Sequence, residues 1–504
     1  MDSRKNYVVA VDIGSSELVI AVGSMTEGGT INIETVVAEP VTGVSAGMVD
    51  NSQTVAEALH RARARAEEEV GVAITDAYVS ISGRFVRCAR YTDHVFVEDS
   101  ENRISKHDLV ALRERMRNVK AADGEVIMDF FPLCYKSDIG TELKNPVGCY
   151  SKQLSSTYNF ILCEHVAKDR LRRVFLDAGI KIRDIYAGAA VIADSLVTSD
   201  EKEDGVAIVD IGSGVTDVAI YRGGVLCYIA SIPMGGSALN TDILGYDKNI
   251  PSRMVENLKK QCGSAVVKLT PDDMIQVRNR GRAIKPIPRL NLAAVIEARM
   301  TDIAEYVWNE VRDAGYAKKL GAGIVLTGGG SNLKNVAELF NIVTEQEVRV
   351  ACAEIGISTE SLEKAASPSY TLAISMLLRG ATAGPCPVGV YIRKTAEPKT
   401  EPKTEPVEPQ RVAEPQPAPQ PAQQVVTPPT PQPEPEPQPK AAAPVVEQNP
   451  IKGDDNIDGD DIEDGDEDIK RGGGWFKRLG GKIKRTLTEA FPEPGEDVDG
   501  DDEY

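Results

Sequence analysis

The chain contains no C-x-x-C pair and no cluster of histidines beside its eight cysteines, Cys88, Cys134, Cys149, Cys163, Cys227, Cys262, Cys352 and Cys386. That spacing excludes a disulfide framework and a zinc site, and leaves the cysteines as small buried hydrophobes of a reducing compartment. No apolar run approaches the roughly 20 residues a membrane-spanning helix needs, which excludes an integral membrane protein. Ahead of Asp12 stands only the apolar run Tyr7-Val8-Val9-Ala10-Val11, too short for the core of a signal peptide, so the expected address is the cytoplasm. A basic domain is missing as well. The formal net charge is −19, with 44 basic and 50 acidic side chains in residues 1–393 and 13 and 26 in residues 394–504. Nothing in that balance suits a nucleic acid, whose binders present a basic face.

What is present is enough for three or four domains: 504 residues, 42% of them hydrophobic. Periodicity stops across residues 397–450, which hold 17 of the 30 prolines. Such a stretch cannot bury a core and is expected to be an extended, disordered spacer. An acidic block follows, with ten carboxylates in residues 454–468. The spacer and block together, about 75 residues, span on the order of 45–50 Å as a random chain. Residues 471–491 then change character. On a helical wheel Trp475, Phe476, Leu479, Ile483 and Leu487 share one side, while Lys477, Arg478, Lys482, Lys484 and Arg485 fall outside it. The expected home of this amphipathic helix is the surface of an anionic bilayer; docking on the folded region or on a partner protein is the alternative. Seven more acids, in residues 493–503, oppose lipid binding.

Ahead of the spacer, a single construction occurs twice. Val8-Val9-Ala10-Val11 runs into Asp12-Ile13-Gly14-Ser15-Ser16 and a second apolar run; Val206-Ala207-Ile208-Val209 runs into Asp210-Ile211-Gly212-Ser213-Gly214, with Thr216 leading out. Each reads as a β-hairpin with a small-residue tip, and a lone copy would be no more than that. Two copies in a duplicated fold can face one another across a cleft. Glycine there lets backbone N–H groups approach phosphate, and each aspartate can hold a hydrated divalent cation. A third element, Ile324-Val325-Leu326-Thr327 followed by Gly328-Gly329-Gly330 and Ser331, is a strand with a bare turn, in which Ser331 can cap a helix beginning near Asn332. Glu256 and Lys259 project from one face of a helix, as nucleotide contacts or as a plain surface ion pair.

Together these elements resemble the actin and Hsp70 superfamily, with phosphate loops at residues 12–16 and 210–216 and an adenosine loop at 327–331. Tyr78-Val79-Ser80-Ile81-Ser82-Gly83, Ile104-Ser105-Lys106-His107-Asp108-Leu109, Asn145-Pro146-Val147-Gly148 and Met234-Gly235-Gly236 narrow the likeness to the FtsA family of bacterial cell-division proteins. The resemblance covers residues 5–380 and resumes at the amphipathic helix. It implies an α/β, actin-like, two-lobed fold: subdomain 1A from 1–83 and 164–196 with a return at 364–393, an inserted subdomain 1C at 84–163, subdomain 2A from 197–233 and 302–363, and 2B at 234–301. The linker would be 394–470, the membrane helix 471–491 and an acidic tail 492–504.

The same resemblance implies ATP and Mg²⁺ as ligands. Asp12 and Asp210 would orient the metal through water, Gly14, Ser15, Ser16, Gly212, Ser213, Gly214 and Thr216 would line the phosphates, and Glu256, Lys259, Gly328, Gly329, Gly330 and Ser331 would meet the nucleoside. Partners would be the C-terminal peptide of FtsZ, further copies of the chain, the anionic cytoplasmic face of the inner membrane at the division site and later division proteins, but no nucleic acid. Around a Pro286-Ile287-Pro288 turn, Lys285, Arg289 and Arg299 are the candidate peptide contacts. Ser213 and Val215 depart from the family's Asp-Ile-Gly-Gly-Gly-Thr-Thr-Asp pattern, and residues 184–197 hold no water-orienting glutamine, so turnover is expected to be slow or absent. The runner-up readings are the ATP-binding platform of type IV pili and a small-molecule kinase of the same superfamily.

Overall fold

The computed structural model describes residues 6–278 and 284–390. Its frame is one sheet topology used twice. Strand Tyr7–Ile13 pairs antiparallel with Glu17–Met25, which pairs antiparallel with Ile31–Pro40; on its other side it runs parallel to Asp76–Ile81, and that strand to Lys181–Ala187. Two hundred residues on, Val206–Ile211 takes the same central place. Thr216–Arg222 and Val225–Ile232 lie antiparallel on one side, Ile324–Thr327 and Val348–Val350 parallel on the other. The central strands are sealed on both faces: Val8, Val9, Ala10, Val11 and Val206, Ala207, Ile208, Val209 are all buried. Continuous β-branched runs are what such doubly covered strands require.

Helices cover the sheets through apolar stripes. Helix Ser52–Val70 buries Val55, Leu59, Ala62 and Ala66 at helical spacing; Asn51 caps its first turn by accepting from the Thr54 N–H at 3.2 Å, and Gly71, at φ 78°, ends it. On the other lobe Arg289–Asp313 buries Leu292, Ile296, Met300, Ile303, Val307 and Val311. Helix Thr371–Ala383 returns from the second lobe to pack on the first sheet, where Gly380 lies against Tyr78 so closely that a Cβ would stand 2.5 Å from the ring.

Between Asp76–Ile81 and helix His165–Asp177 the chain builds a separate sheet, ordered Glu142–Leu143, Glu125–Lys136, Gln153–Glu164, Val86–Phe96. Helix Lys106–Arg117, with a Ser105–Asp108 capping box, closes its own small core of Ile104, Leu112, Met116, Leu154, Tyr158, Phe160 and Leu162. This is an inserted subdomain with its own hydrophobic centre.

One local expectation is corrected. Pro286, Ile287 and Pro288 do not form a turn; they end strand Ile284–Pro288, paired with Met274–Arg278. Among the described residues the strand has a partner on one side only, an edge position that tolerates proline, and Ile275, Val277 and Ile287 alternate inward. The spacer, the acidic block and the amphipathic segment with Trp475, Phe476, Leu479, Ile483 and Leu487 lie outside the described residues.

Candidate functional site

Both hairpins turn the same way. The Gly14 N–H donates to the Glu17 carbonyl at 3.0 Å and the Gly212 N–H to the Val215 carbonyl at 2.9 Å. The duplicated sheets bring the two tips into contact. A Cβ on Gly214 would lie 2.5 Å from Ser15 Oγ and 2.8 Å from its Cβ, so only glycine permits this approach. Ser15 is half-buried in the contact and Ser16 is exposed beside it.

Strand register sets the acids behind the tips. Thr327, Asp210, Asp217 and Ser231 form one cross-strand row of the second sheet, and Asp12 occupies the matching place in the first. Burial pushes the Asp12 carboxyl up, although the Ser80 hydroxyl donates to its Oδ1 at 2.5 Å. Burial and the adjacent charges of Asp217 and Asp12 push Asp210 well above the usual carboxylate range. Burial likewise carries Asp217 up to about 6, against a hydrogen bond received from Ser231. Three carboxyls with raised affinity for protons will accept another positive charge instead, because a cation among them relieves both desolvation and mutual repulsion. Among the described residues no three His, Cys, Asp or Glu side chains gather into a direct metal cluster, so a cation here would keep much of its water shell.

The glycine loop leans on the same acids. Gly328, at φ 83°, sits where a Cβ would meet Asp210 Oδ1, and Gly330 where one would meet Ile211; Gly329 is the exposed member, where a Cβ would only touch Ser369 Oγ at 3.5 Å. Ser331 does not cap a helix. Its hydroxyl donates to the Gly328 carbonyl at 2.7 Å and closes the loop, and the following helix, Val336–Thr344, begins four residues later than the pattern suggested. Thr216 is fully buried and donates to the Met234 carbonyl at 2.8 Å, so it anchors the Met234-Gly235-Gly236 turn. That turn places the Gly236 N–H on the Gly212 carbonyl at 2.9 Å and the Ser237 N–H on the Ser213 carbonyl at 2.8 Å. Lys259 joins the assembly through the Gly236 carbonyl at 2.9 Å and Glu256 at 2.8 Å, and Asn240 holds the same Glu256 oxygen at 2.7 Å. Helix Gly188–Val191, of Gly-Ala-Ala-Val, offers no amide or carboxylate side chain.

The substitution Gly328→Ala tests this packing. Forcing a side chain to positive φ costs about 1–2 kcal/mol, and the clash with Asp210 adds to it, so chemical denaturation should show a loss of at least about 2 kcal/mol. Unchanged stability would mean the loop is not held against Asp210.

The basic residues picked for a peptide lie elsewhere, in and beyond the small hairpin. Lys285 reaches Asp247 at 2.9 Å and is half exposed; Arg289 is paired with Asp273. Arg299 is different. Only 13% exposed, it is clamped by Asp242 at 2.6 Å and Asp302 at 3.1 Å, so it is a brace between helices Gly236–Tyr246 and Arg289–Asp313 and not an open contact.

Comparison with known proteins gives the chain its family. A family profile described as "Cell division protein FtsA" matches residues 207–375. The chain is 30% identical over 363 residues to the cell division protein FtsA of Buchnera aphidicola subsp. Baizongia pistaciae, across 69% of this chain and 84% of that protein. The chain belongs to the FtsA family. It is also 28% identical over 385 residues to FtsA of Escherichia coli K12, across 75% of this chain and 90% of that protein. Among solved structures, the PilM-PilN type IV pilus biogenesis complex aligns with TM-score 0.50 at 15% identity, over 74% of this chain and 98% of that one. At that identity the likeness shows the fold, the actin-like two-lobed α/β architecture, and nothing more.

Three residues of this FtsA-family site escaped sequence reading: Asp217, Ser80 and Ser231. Asp217 had a signal. In a hairpin closed by Ile211 opposite Thr216, the residue after Thr216 must stand opposite Asp210. Ser80 had none, because it arrives on a strand paired from a distance, and the register of Ser231 is shifted by an irregularity at Ile220 and Tyr221 in the intervening hairpin.

Proposed function

We propose that this FtsA-family chain binds ATP with Mg²⁺ between its lobes, assembles into filaments, and ties a division ring of FtsZ to the cytoplasmic membrane through residues 471–491. The observation that carries the nucleotide reading is the pair of opposed glycine turns at Gly14 and Gly212 with Asp12, Asp210 and Asp217 directly behind them. Backbone N–H groups at glycine tips suit phosphate oxygens, and the raised proton affinity of the acids suits a hydrated divalent cation. Gly329, Glu256 and Lys259 then flank the space for the nucleoside. With no glutamine over residues 184–197 and no polar side chain on helix Gly188–Val191, nothing is offered there to orient an attacking water, so ATP serves as a ligand that favours the closed lobes and turns over slowly.

The test is co-sedimentation of the full chain with anionic liposomes, with and without ATP·Mg²⁺, followed by negative-stain microscopy. Pelleting with lipid and ATP-dependent filaments are expected. A protein that stays in the supernatant under both conditions would overturn the scaffold reading.

For the FtsZ peptide, Lys285 and Arg289 remain the contacts and Arg299 becomes their structural support. Lys285→Glu should weaken peptide binding in fluorescence anisotropy at least about tenfold and cost less stability, since Lys285 is half exposed and, among the described residues, only Asp247 faces it, while Arg299→Glu, which sets a third acid beside Asp242 and Asp302, should cost about 3–5 kcal/mol of stability. A stable Arg299→Glu protein with selectively lost peptide affinity would restore Arg299 as a contact.

A further inference from the structure

Strand Val225–Ile232 is the outer strand of the second sheet, paired on one side with Thr216–Arg222. An edge of this kind usually takes another strand or is blocked. Here a face of the inserted sheet covers it with side chains in place of backbone. Asn159 Nδ2 donates to the carbonyls of Leu226 at 3.3 Å and Cys227 at 3.4 Å. Cys88 Sγ receives the Ile229 N–H at 3.5 Å and points to the Ile229 carbonyl at 3.7 Å. Register places Arg90 opposite Asn159 and Cys88 opposite Ile161, so Cys88, Arg90 and Asn159 stand on one face, and Arg90 adds a hydrogen bond to the Tyr316 hydroxyl at 3.1 Å.

These contacts are long, and thiols are weak partners. Asn159 is wholly buried and its Oδ1 has no hydrogen-bond partner. A buried amide oxygen without a donor is costly, and a small slide of the neighbouring strand can bring it an N–H. At its other end the same strand carries Ser231, which lies opposite Asp217 and donates to its carboxylate. Four residue steps, about 13 Å of extended chain, separate Ser231 from Cys227.

We infer that strand Val225–Ile232 is a sliding joint through which the nucleotide cleft and the inserted subdomain sense one another. The inference rests on the nucleotide reading of the cleft. A ligand that draws on Asp217 shifts Thr216–Arg222 and, through the ladder that pairs them, Val225–Ile232 with it across the inserted sheet; side-chain contacts to that sheet can exchange where a backbone ladder would hold register. The two states differ at Asn159, whose oxygen is unpaired in one and paired in the other. Linkage makes the effect reciprocal, so whatever engages the inserted subdomain changes affinity for nucleotide by the same factor.

Hydrogen–deuterium exchange of the full chain, with and without ATP·Mg²⁺, tests the joint. Nucleotide should slow exchange at the two glycine hairpins and also change it at least about threefold in Val86–Phe96 and Gln153–Glu164. In Asn159→Leu, and independently in Cys88→Ala, protection of the hairpins by nucleotide should persist while the change in the inserted strands disappears. Protection that stops at Ile232 in wild type, or that still reaches the inserted strands in both variants, overturns the joint. Absence of any protection at the hairpins overturns the nucleotide reading itself, and the joint with it.

Discussion

Asp210→Asn should do two opposite things: raise the stability of the nucleotide-free protein at neutral pH and cut Mg²⁺-dependent ATP binding about a hundredfold, or about 3 kcal/mol. Both effects come from one cause. Without a cation, the Asp210 carboxylate is buried against Asp217 and Asp12, and its charge is a penalty that the neutral amide does not carry. With Mg²⁺ present the same charge is the attraction, and its loss weakens binding; Asp12→Ala should weaken it likewise. Titration calorimetry and thermal melts of the same preparations check the pair of outcomes, and equal affinity in wild type and both variants would sink the cation assignment.

Asp217 supplies the pH dependence. Its folded-state pKa of about 6 lies above the ordinary 3.8, so the native state holds a proton that the unfolded chain has already released. Stability of the nucleotide-free protein therefore falls as pH rises from about 4 through 6, by at most about 3 kcal/mol for this group, and stays low above it. Asp217→Asn should melt higher than wild type at pH 7.5, with the difference shrinking to nothing as the pH drops toward 4. A difference that is constant across this range would mean that Asp217 is not buried among the other acids.

Trp475→Glu combined with Leu479→Glu should move the protein from the membrane to the soluble fraction and leave ATP binding as it was. Burying Trp475, Phe476, Leu479, Ile483 and Leu487 at about 1.5–3 kcal/mol each sets a gross upper limit near 7–15 kcal/mol. Insertion at headgroup depth realises only a fraction of it. The five cations Lys477, Arg478, Lys482, Lys484 and Arg485 add about 1 kcal/mol each beside anionic lipid, and the acids on both sides offset some of that gain. One copy should thus bind modestly and a filament of many copies far more tightly through avidity. Two glutamates on the apolar side remove the driving force outright. If the double variant still floats with anionic liposomes, the segment is not the anchor, and docking on the folded region takes its place.

The sequence by itself determined the local pieces. The runs Val8-Val9-Ala10-Val11 and Val206-Ala207-Ile208-Val209 are β-branched and apolar, as strands in a sheet core require, and the glycine-serine tips after their Asp-Ile ends read as tight turns. The repetition of that unit, with the Gly328-Gly329-Gly330 turn, carried the resemblance that implied the fold class. The break in composition across residues 397–450 marked the expected spacer, which lies outside the described residues. Tertiary structure decided what each side chain does. Only strand pairing set Asp217 opposite Asp210, Ser231 opposite Asp217 and Gly328 beside Asp210; only the meeting of two lobes put Gly214 on Ser15. Thr216 and Ser331 carry the right hydroxyls for a phosphate or nucleoside loop, yet their partners are the carbonyls of Met234 and Gly328. Arg299, one of several cations in its stretch of sequence, is separated from the accessible ones by two aspartates, one of them 57 residues away in the chain. Backbone preference and hydrophobic period act over a few residues and are written locally. Whether a polar group faces a ligand or a neighbour depends on partners brought from far along the chain, and that is decided when the lobes pack.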